Sequence, residues 1–318
     1  MITTPLHIIL LVGTGHMAKA YAQVLKVMKK DFLTVGRGDQ SASAFEQATG
    51  RPVARGGLKN WLMENTDKVP STAIVAVDEE QLGPSARLLI QHGVKSILLE
   101  KPGGLNRADL EKTKKTAERK KSGVFVAYNR RFYASTLKAK EIIKKDGGVK
   151  SFNFDFTEWS HLIENSDKPP AVKREWLLAN SSHVIDLAFF LGGQPKKINS
   201  HVVSGLTWHP RASIYSGSGV SESQALFSYH ANWESAGKWS VEIMTPRHKL
   251  IFRPLEKLYV QEIGQVEIKE IPLRNMLDTE FKPGLYLQVK SFFGNKKNLP
   301  TIIEQVKNLK YYNLIDGK

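Results

Sequence analysis

The chain contains no cysteine. Disulfide frameworks, thiolate zinc sites, iron–sulfur clusters and cysteine nucleophiles are therefore excluded. Its 318 residues amount to about two domains and can bury a substantial core without such staples. Long apolar runs are missing as well. The first, Leu6 to Val12, is interrupted by His7 and stops at Gly13, and no Lys or Arg precedes it. It is too short to span a bilayer and lacks a signal peptide's basic start, so a cytoplasmic protein with no membrane partner is expected. Acidic charge is scarce relative to basic: 46 Lys and Arg against 31 Asp and Glu leave a net charge of +15, which favours an anionic partner. Much of that excess is local, because residues 101–150 hold fifteen basic and five acidic residues, a surplus of ten. Charged residues at 24% and hydrophobic ones at 41% are otherwise ordinary for a globular protein.

The apolar pattern falls into two parts. Strand-like runs at Leu6 to Val12, Phe32 to Val35, Thr72 to Val77, Ser96 to Leu99 and Val124 to Tyr128 alternate with helical spacing over Met17 to Met28, Ser41 to Thr49, Pro84 to His92 and Ala108 to Lys121. Strands apolar on both faces and separated by helices imply a parallel sheet covered on both sides, an α/β doubly wound arrangement. Beyond Tyr128 a helix, Ser135 to Lys145, leads to alternating segments at Ser151 to Phe156, Ala225 to His230, Gly237 to Met244, Lys249 to Phe252 and Val266 to Ile271. These predict a mostly antiparallel sheet, interrupted by a helix at Asn180 to Leu191 and closed by helices at Gly284 to Phe293 and Thr301 to Asn308. The expected division is 1–127 for the first domain and 128–318 for the second. The glycine- and serine-rich stretch Tyr215 to Ser223 reads as a mobile loop.

Gly13-Thr14-Gly15-His16-Met17-Ala18 fits G-x-G-x-x-A directly after an apolar strand and directly before a helix. Gly13 makes the turn, Gly15 lets a pyrophosphate approach the backbone, and small Ala18 permits close packing of helix on strand. The phosphate charge would lie on the helix N-terminus. An acidic residue at the end of the second strand would accept the ribose hydroxyls of NAD, whereas an arginine there accommodates a 2′-phosphate. This chain has Gly36-Arg37-Gly38, with Ser41 and Ser43 just beyond, so NADP is preferred over NAD. Asp39 remains a candidate ribose acceptor, and Arg37 a candidate solvated loop residue.

Ligands of open α/β sheets bind beyond the carboxyl ends of the strands, and Glu100-Lys101-Pro102 stands at such an end. A lysine there can donate a proton or hold an alkoxide beside a nicotinamide; a strand-terminal salt bridge is the plainer alternative. Later, Asn180, His183 and Asp186 recur every three residues and so share one side of a helix. A histidine such as His183 is the side chain type suited to proton exchange at neutral pH, although a single helical histidine also serves as a packed or surface residue. No third residue at a useful spacing turns His183 and Asp186 into a metal site, and none is expected.

Taken in order, Gly13 to Ala18, Glu100-Lys101-Pro102, Tyr128-Asn129-Arg130-Arg131-Phe132 and Ser182-His183-Val184-Ile185-Asp186 resemble the Gfo/Idh/MocA oxidoreductases. Trp239 to Glu242 and Lys282-Pro283-Gly284 are similar to the family's later segments. The resemblance implies an N-terminal Rossmann domain followed by an α/β domain with a large, open, mostly antiparallel sheet, often used for homodimer or homotetramer contacts. It implies that Lys101 is the catalytic lysine and His183 its acid/base partner. Asn129, Arg130, Asn180 and Asp186 would bind substrate, with Asp186 alternatively orienting the site. Gly13, Thr14, Gly15, His16, Met17, Arg37, Ser41, Glu100 and Lys101 would contact the cofactor. One departure stands out: family members often carry an Asp four residues before the helical histidine, where this chain has Ala179. The fourth strand departs too, ending in Val77-Asp78-Glu79-Glu80, acids read as solvated.

The expected function is thus reversible hydride transfer between a nicotinamide and a carbinol carbon of a sugar, cyclitol or sugar nucleotide, with Arg130, Arg131, Arg174 and Arg211 as candidate anion ligands. Two alternatives keep the fold: reduction of an imine or a linear tetrapyrrole, and NADP(H) sensing without turnover, which Ala179 makes conceivable. Nucleic-acid binding is not expected, because within the basic stretch Lys112 to Lys150 the densest run, Lys112 to Lys121, has no aromatic residue and reads as the solvated face of a helix. The loops Trp159 to Glu175 and Leu206 to Glu222 are expected to read the substrate.

Overall fold

A computed structural model describes residues 8–318, so Leu6 and His7 of the first expected strand lie outside the described residues. The chain divides into two compact units. The first comprises residues 8–128 and Leu285–Lys307. Its parallel sheet has six strands: β1 (Ile9–Val12), β2 (Phe32–Val35), β3 (Val53–Ala54), β4 (Thr72–Val75), β5 (Ser96–Glu100) and β6 (Gly123–Ala127). They lie in the order β3-β2-β1-β4-β5-β6, the doubly wound arrangement that the alternation predicted, with β3 an addition that is too short to show in the pattern. β1 is buried over its whole length, Ile9 to Val12, because the strands beside it and the helices on its faces leave no side open to water.

The expected division placed everything after residue 127 in the second domain; the structure assigns Leu285–Lys307 to the first unit. Leu285, Val289 and Phe292 recur every three to four residues along helix Leu285–Phe293 and form its buried stripe. Phe292 meets Phe125 of β6 edge-on at 6.1 Å, and the Val126 amide donates to the Pro300 carbonyl at 2.8 Å. Local periodicity shows such a stripe, but not which sheet it covers.

The second unit comprises Asn129–Gly284 and Asn308–Lys318. Its eight strands are β7 (Ser151–Asp155), β8 (Pro195–Val203), β9 (Ile214–Ser221), β10 (Leu226–Asn232), β11 (Ser240–Met244), β12 (His248–Phe252), β13 (Tyr259–Glu262) and β14 (Lys269–Glu270). The order is β14-β13-β12-β11-β7-β10-β9-β8, antiparallel except for the β7/β10 pair. Phe152 and Phe154 of β7 point to the inner face, where Phe227 and Tyr229 of β10 stack on them at 5.2 and 5.4 Å. Phe189 of helix Ser182–Gly192 meets Phe154 edge-on at 5.5 Å. That helix therefore lies on the central strand, and its position fixes His183 and Asp186.

The stretch read as a mobile loop, Tyr215 to Ser223, is mostly strand β9, and the expected loop Leu206 to Glu222 contains it. Its glycines make room for rings. A Cβ on Gly217 would stand 2.3 Å from Tyr229 Cζ, and one on Gly219 would stand 2.1 Å from the Lys197 carbonyl oxygen on β8 and 2.5 Å from Phe227 Cζ, each ring belonging to the residue paired opposite on β10. Glycine under a cross-strand aromatic is a sheet device and not a linker signal. The other expected loop, Trp159 to Glu175, holds two short helices, Ser160–Glu164 and Pro170–Arg174. Among the described residues no helix is long and apolar enough to cross a membrane.

The ring contact makes a prediction about β9. Gly219→Ala lowers unfolding stability by about 1–3 kcal/mol, the usual cost of overpacking, whereas Ser218→Ala on the exposed face stays within about 0.5 kcal/mol. Urea titration followed by far-ultraviolet circular dichroism measures both; equal stability of the two variants contradicts the packing account.

Candidate functional site

In the first unit the site begins where β1 ends. Gly13 has φ +116°, and a Cβ there would stand 2.1 Å from the carbonyl oxygen of Ala76, which follows β4. Only glycine fits this approach. β1 and β4 are the strands at which the winding reverses, the point where doubly wound sheets bind their ligands. Helix His16–Val27 starts immediately after the turn with Gly15 at its cap, no side chain accepting from its first amides, and Gly15 and His16 exposed. Those amides are open to an anion, and nothing stands within 4 Å of the position a Gly15 Cβ would take. The turn fits the pyrophosphate of a dinucleotide. Met17 is half-buried behind it.

Thr14 and Ser41, two expected cofactor residues from different elements, are brought together: Thr14 Oγ1 donates to Ser41 Oγ at 2.9 Å, and Ser41 Oγ donates to the Gly38 carbonyl at 3.0 Å. Arg37 is exposed at the end of β2 and has no ion pair among the described residues. Sequence reasoning passed over Arg55, which β3 brings beside the same strand end through the Gly36 amide to Ala54 carbonyl bond of 2.9 Å. Arg55 is held by Glu46 at 2.7 Å and lies 3.5 Å from Asp39, whose side chain is 87% exposed. Asp39, the acidic alternative for the ribose, is thus drawn towards a cation. Asp78, after the fourth strand, is exposed as expected.

Glu100 and Lys101 sit at the carboxyl end of β5. Glu100 is buried and accepts from the Tyr21 hydroxyl at 2.7 Å. Burial, reinforced by the Glu100 charge, pushes the Tyr21 phenol well above its ordinary pKa, so it remains a donor. Lys101 itself is half-buried.

In the second unit a short 3₁₀ turn, Asn129–Phe132, carries the expected Asn129 and Arg130. Asn129 Nδ2 donates to the Pro283 carbonyl at 3.0 Å, tying two of the motif segments together. The Arg130 guanidinium lies 4.8 Å from the centre of the Trp239 ring, and the His183 ring lies 6.1 Å from that same indole. Burial lowers the Arg130 pKa, against the opposing charges of Tyr133, Glu256 and Glu158. Arg131 is committed elsewhere: its Nε and Nη2 donate to the two Asp186 oxygens at 2.7 and 2.6 Å, both side chains buried. Asp186 therefore orients the helix through a bidentate pair. The other candidate anion ligands separate similarly, Arg211 being ion-paired with Asp316 and Arg174 exposed.

Helix Ser182–Gly192 does not extend back to Asn180 as expected; a π-helical turn, Leu177–Ser181, precedes it. Such wider turns recur at functional sites. Here the neighbours Asn180 and Ser181 both reach one carboxylate. Asn180 Nδ2 donates to the two oxygens of Glu158 at 3.0 and 3.2 Å, and Ser181 Oγ donates to it at 2.6 Å. Glu158 is buried, and sequence reasoning missed it as a site residue. It follows β7 by three residues, just ahead of the expected loop Trp159 to Glu175, and no local signal links it to the histidine helix. Because a carboxylate only accepts, it turns the Asn180 amide nitrogen inward and its oxygen outward.

Residues 8–128 match the family model described as the GFO_IDH_MocA oxidoreductase family with an NAD-binding Rossmann fold. No curated protein matches the chain in sequence. Among solved structures, an NAD-binding oxidoreductase from Klebsiella pneumoniae is 15% identical with a TM-score of 0.77, covering 99% of this chain and 96% of that one. The UDP-N-acetylglucosamine 3-dehydrogenase GnnA from Acidithiobacillus ferrooxidans is 12% identical with a TM-score of 0.74, covering 98% and 96%. The WlbA dehydrogenase from Chromobacterium violaceum, solved with NADH and UDP-GlcNAcA, is 17% identical with a TM-score of 0.72, covering 100% and 96%. At these identities the likeness shows the fold. The resemblance drawn from the ordered motifs is borne out in the match of residues 8–128 to the NAD-binding Rossmann model of that oxidoreductase family.

Proposed function

We propose that the protein is an oxidoreductase that prefers NADP(H) and moves a hydride to or from a carbinol carbon of a sugar, cyclitol or sugar nucleotide. The observation that carries this reading is Lys101 at the carboxyl end of β5, in the same parallel sheet whose switch point bears the glycine turn. The bound nicotinamide supplies the hydride donor or acceptor. Lys101 holds the substrate oxygen through its ammonium and stabilises negative charge as the carbinol forms or is consumed. His183 exchanges the proton. Asn180 offers its outward amide oxygen to a substrate hydroxyl, and Arg130, stacked on Trp239, offers a cation to an anionic group. The GnnA name and the UDP-GlcNAcA bound to WlbA favour a sugar nucleotide.

The preference for NADP(H) rests on Arg37, exposed without an ion pair among the described residues, next to Ser41. Asp39, near Arg55, is the weaker ribose acceptor. Ala179 favours one second reading, a sensor that binds NADP(H) without turnover.

Titration with NADPH and NADH by fluorescence, followed by a panel of sugar nucleotides and free sugars, tests these readings. NADPH binds more tightly; a keto sugar nucleotide discharges its fluorescence or, with NADP+ in its place, a carbinol sugar nucleotide generates it, and binding with no change in either direction favours the sensor. Arg37→Ala weakens NADPH binding about tenfold, the loss of one charge-assisted hydrogen bond, and leaves NADH within about twofold. Equal weakening of both cofactors removes the 2′-phosphate assignment. Lys101→Met lowers kcat by roughly 10²–10⁴-fold with NADPH affinity unchanged, measured by steady-state turnover and the same titration. Undiminished turnover removes Lys101 from the chemistry.

A further inference from the structure

We infer that Gln305 and Gln288 are positioning residues that hold the Glu100-Lys101-Pro102 turn; the catalytic consequence rests on the reading of Lys101 given above. Both belong to the segment Leu285–Lys307 that returns to the first unit, and neither carried any signal in the sequence. Gln305, fully buried on helix Ile302–Ile315, donates from Nε2 to the Pro102 carbonyl at 3.0 Å and to the Tyr128 hydroxyl at 2.9 Å. Gln288, fully buried on helix Leu285–Phe293, has its amide oxygen 3.3 Å from the Tyr21 hydroxyl, which donates to Glu100 Oε1 at 2.7 Å. The residue after Lys101 is therefore held directly, by its carbonyl on Gln305, and the residue before it through Tyr21, against which Gln288 is placed.

That segment is firmly seated. Beyond the Val126 to Pro300 hydrogen bond and the Phe125–Phe292 contact, Phe125 and Thr301 form an isolated β-bridge. Around the turn the packing is close, since a Cβ on Gly103 would meet Val126, Leu110 and Ile302 at 3.2 to 3.4 Å.

As elements of a core, the glutamines are poor choices. Each leaves one amide atom buried without a hydrogen bond among the described residues, Oε1 of Gln305 and Nε2 of Gln288. An amide with one atom unmet is a costly choice where only packing is needed. What the amides supply and methionine does not is a grip on the backbone and side chains that flank Lys101. The lysine side chain is long and freely rotating, so the direction of its ammonium depends on where that backbone is held. Misplacement on the ångström scale at a reacting group costs orders of magnitude in rate.

The test uses Gln305→Met and Gln288→Met in the full chain, with two readouts. The first needs no substrate: competitive acetylation with acetic anhydride across the alkaline range, with the Lys101 peptide quantified by mass spectrometry against that of exposed Lys115. Lys101 labelling changes at least about threefold in the variants while Lys115 does not, in protein that far-ultraviolet circular dichroism shows to be folded. The second is turnover with the sugar nucleotide found by the panel: kcat falls about ten- to a hundredfold, with KM and NADPH affinity within about twofold. Unchanged Lys101 labelling and unchanged kcat in both variants overturn the inference. Altered labelling in a protein that turns over no sugar nucleotide upholds the grip and overturns the proposed function instead. Gln288→Met leaves the Pro102 contact intact and carries the test should Gln305→Met fail to fold.

Discussion

The close approach of Gly13 to the Ala76 carbonyl is the constraint on which the first unit's chemistry depends. β1 is paired on both sides, Val12 against Val35 and Val75, so the chain leaving it has no freedom to swing away from the neighbouring strand end. It must turn at once, with a positive φ, and the helix must begin within three residues. The uncapped amides of that helix then face the point where the winding of the sheet reverses. An anion site follows from strand pairing and one missing Cβ, before any specific side chain is considered. Arg37 just past the end of the next strand and Ser41 on the helix that follows it, and Glu100 and Lys101 at the end of a strand two away on the other side, are arranged by the same parallel register.

The second unit is governed by charges buried among aromatic rings. Asp186 and Arg131 satisfy each other with two short bonds, and removing either alone would strand a desolvated charge. The pair thereby ties the histidine helix to the turn that carries Arg130. Glu158 meets the same requirement differently, with Asn180 and Ser181 as donors and Arg130 as a nearby positive charge. The Arg130 guanidinium and the His183 ring both approach the Trp239 indole. An apolar wall therefore surrounds a few fixed polar groups, the composition expected of a site that selects a small polar ligand.

What the sequence made legible was local. Strands buried on both faces and alternating with helices identify the doubly wound sheet, and the positions of the glycine turn and of Lys101 follow from where those strands end. The unread features depend on pairing across the chain. Gly217 and Gly219 look like a linker until Tyr229 and Phe227 are placed opposite them. Glu158 has no motif, because its partners are Asn180 and Ser181 on a π-helical turn more than twenty positions along. Gln288 and Gln305 are polar residues in otherwise apolar helical stripes, and their meaning depends on the turn that they contact. Ala179 marks a departure within a motif; the buried carboxylate nearest to it in function lies outside the motif altogether.

The basic excess shows how far a sequence-level quantity reaches. The densest block, residues 101–150, crosses from the first unit into the second and is spread over helix Arg107–Lys120, the turn Asn129–Phe132 and helix Ala134–Lys145. Several of its members are already engaged: Arg131 with Asp186, Arg130 against Trp239, Lys114 with Glu111 and Lys138 with Glu141. Charges beyond about 10 Å are screened at ordinary ionic strength, so those that remain act mainly as a diffuse attraction for anions. Discrimination between two dinucleotides that differ by one phosphate requires a cation at the point of difference. On the proposal that the cofactor is NADP(H), that cation is Arg37, a single exposed residue outside the basic block.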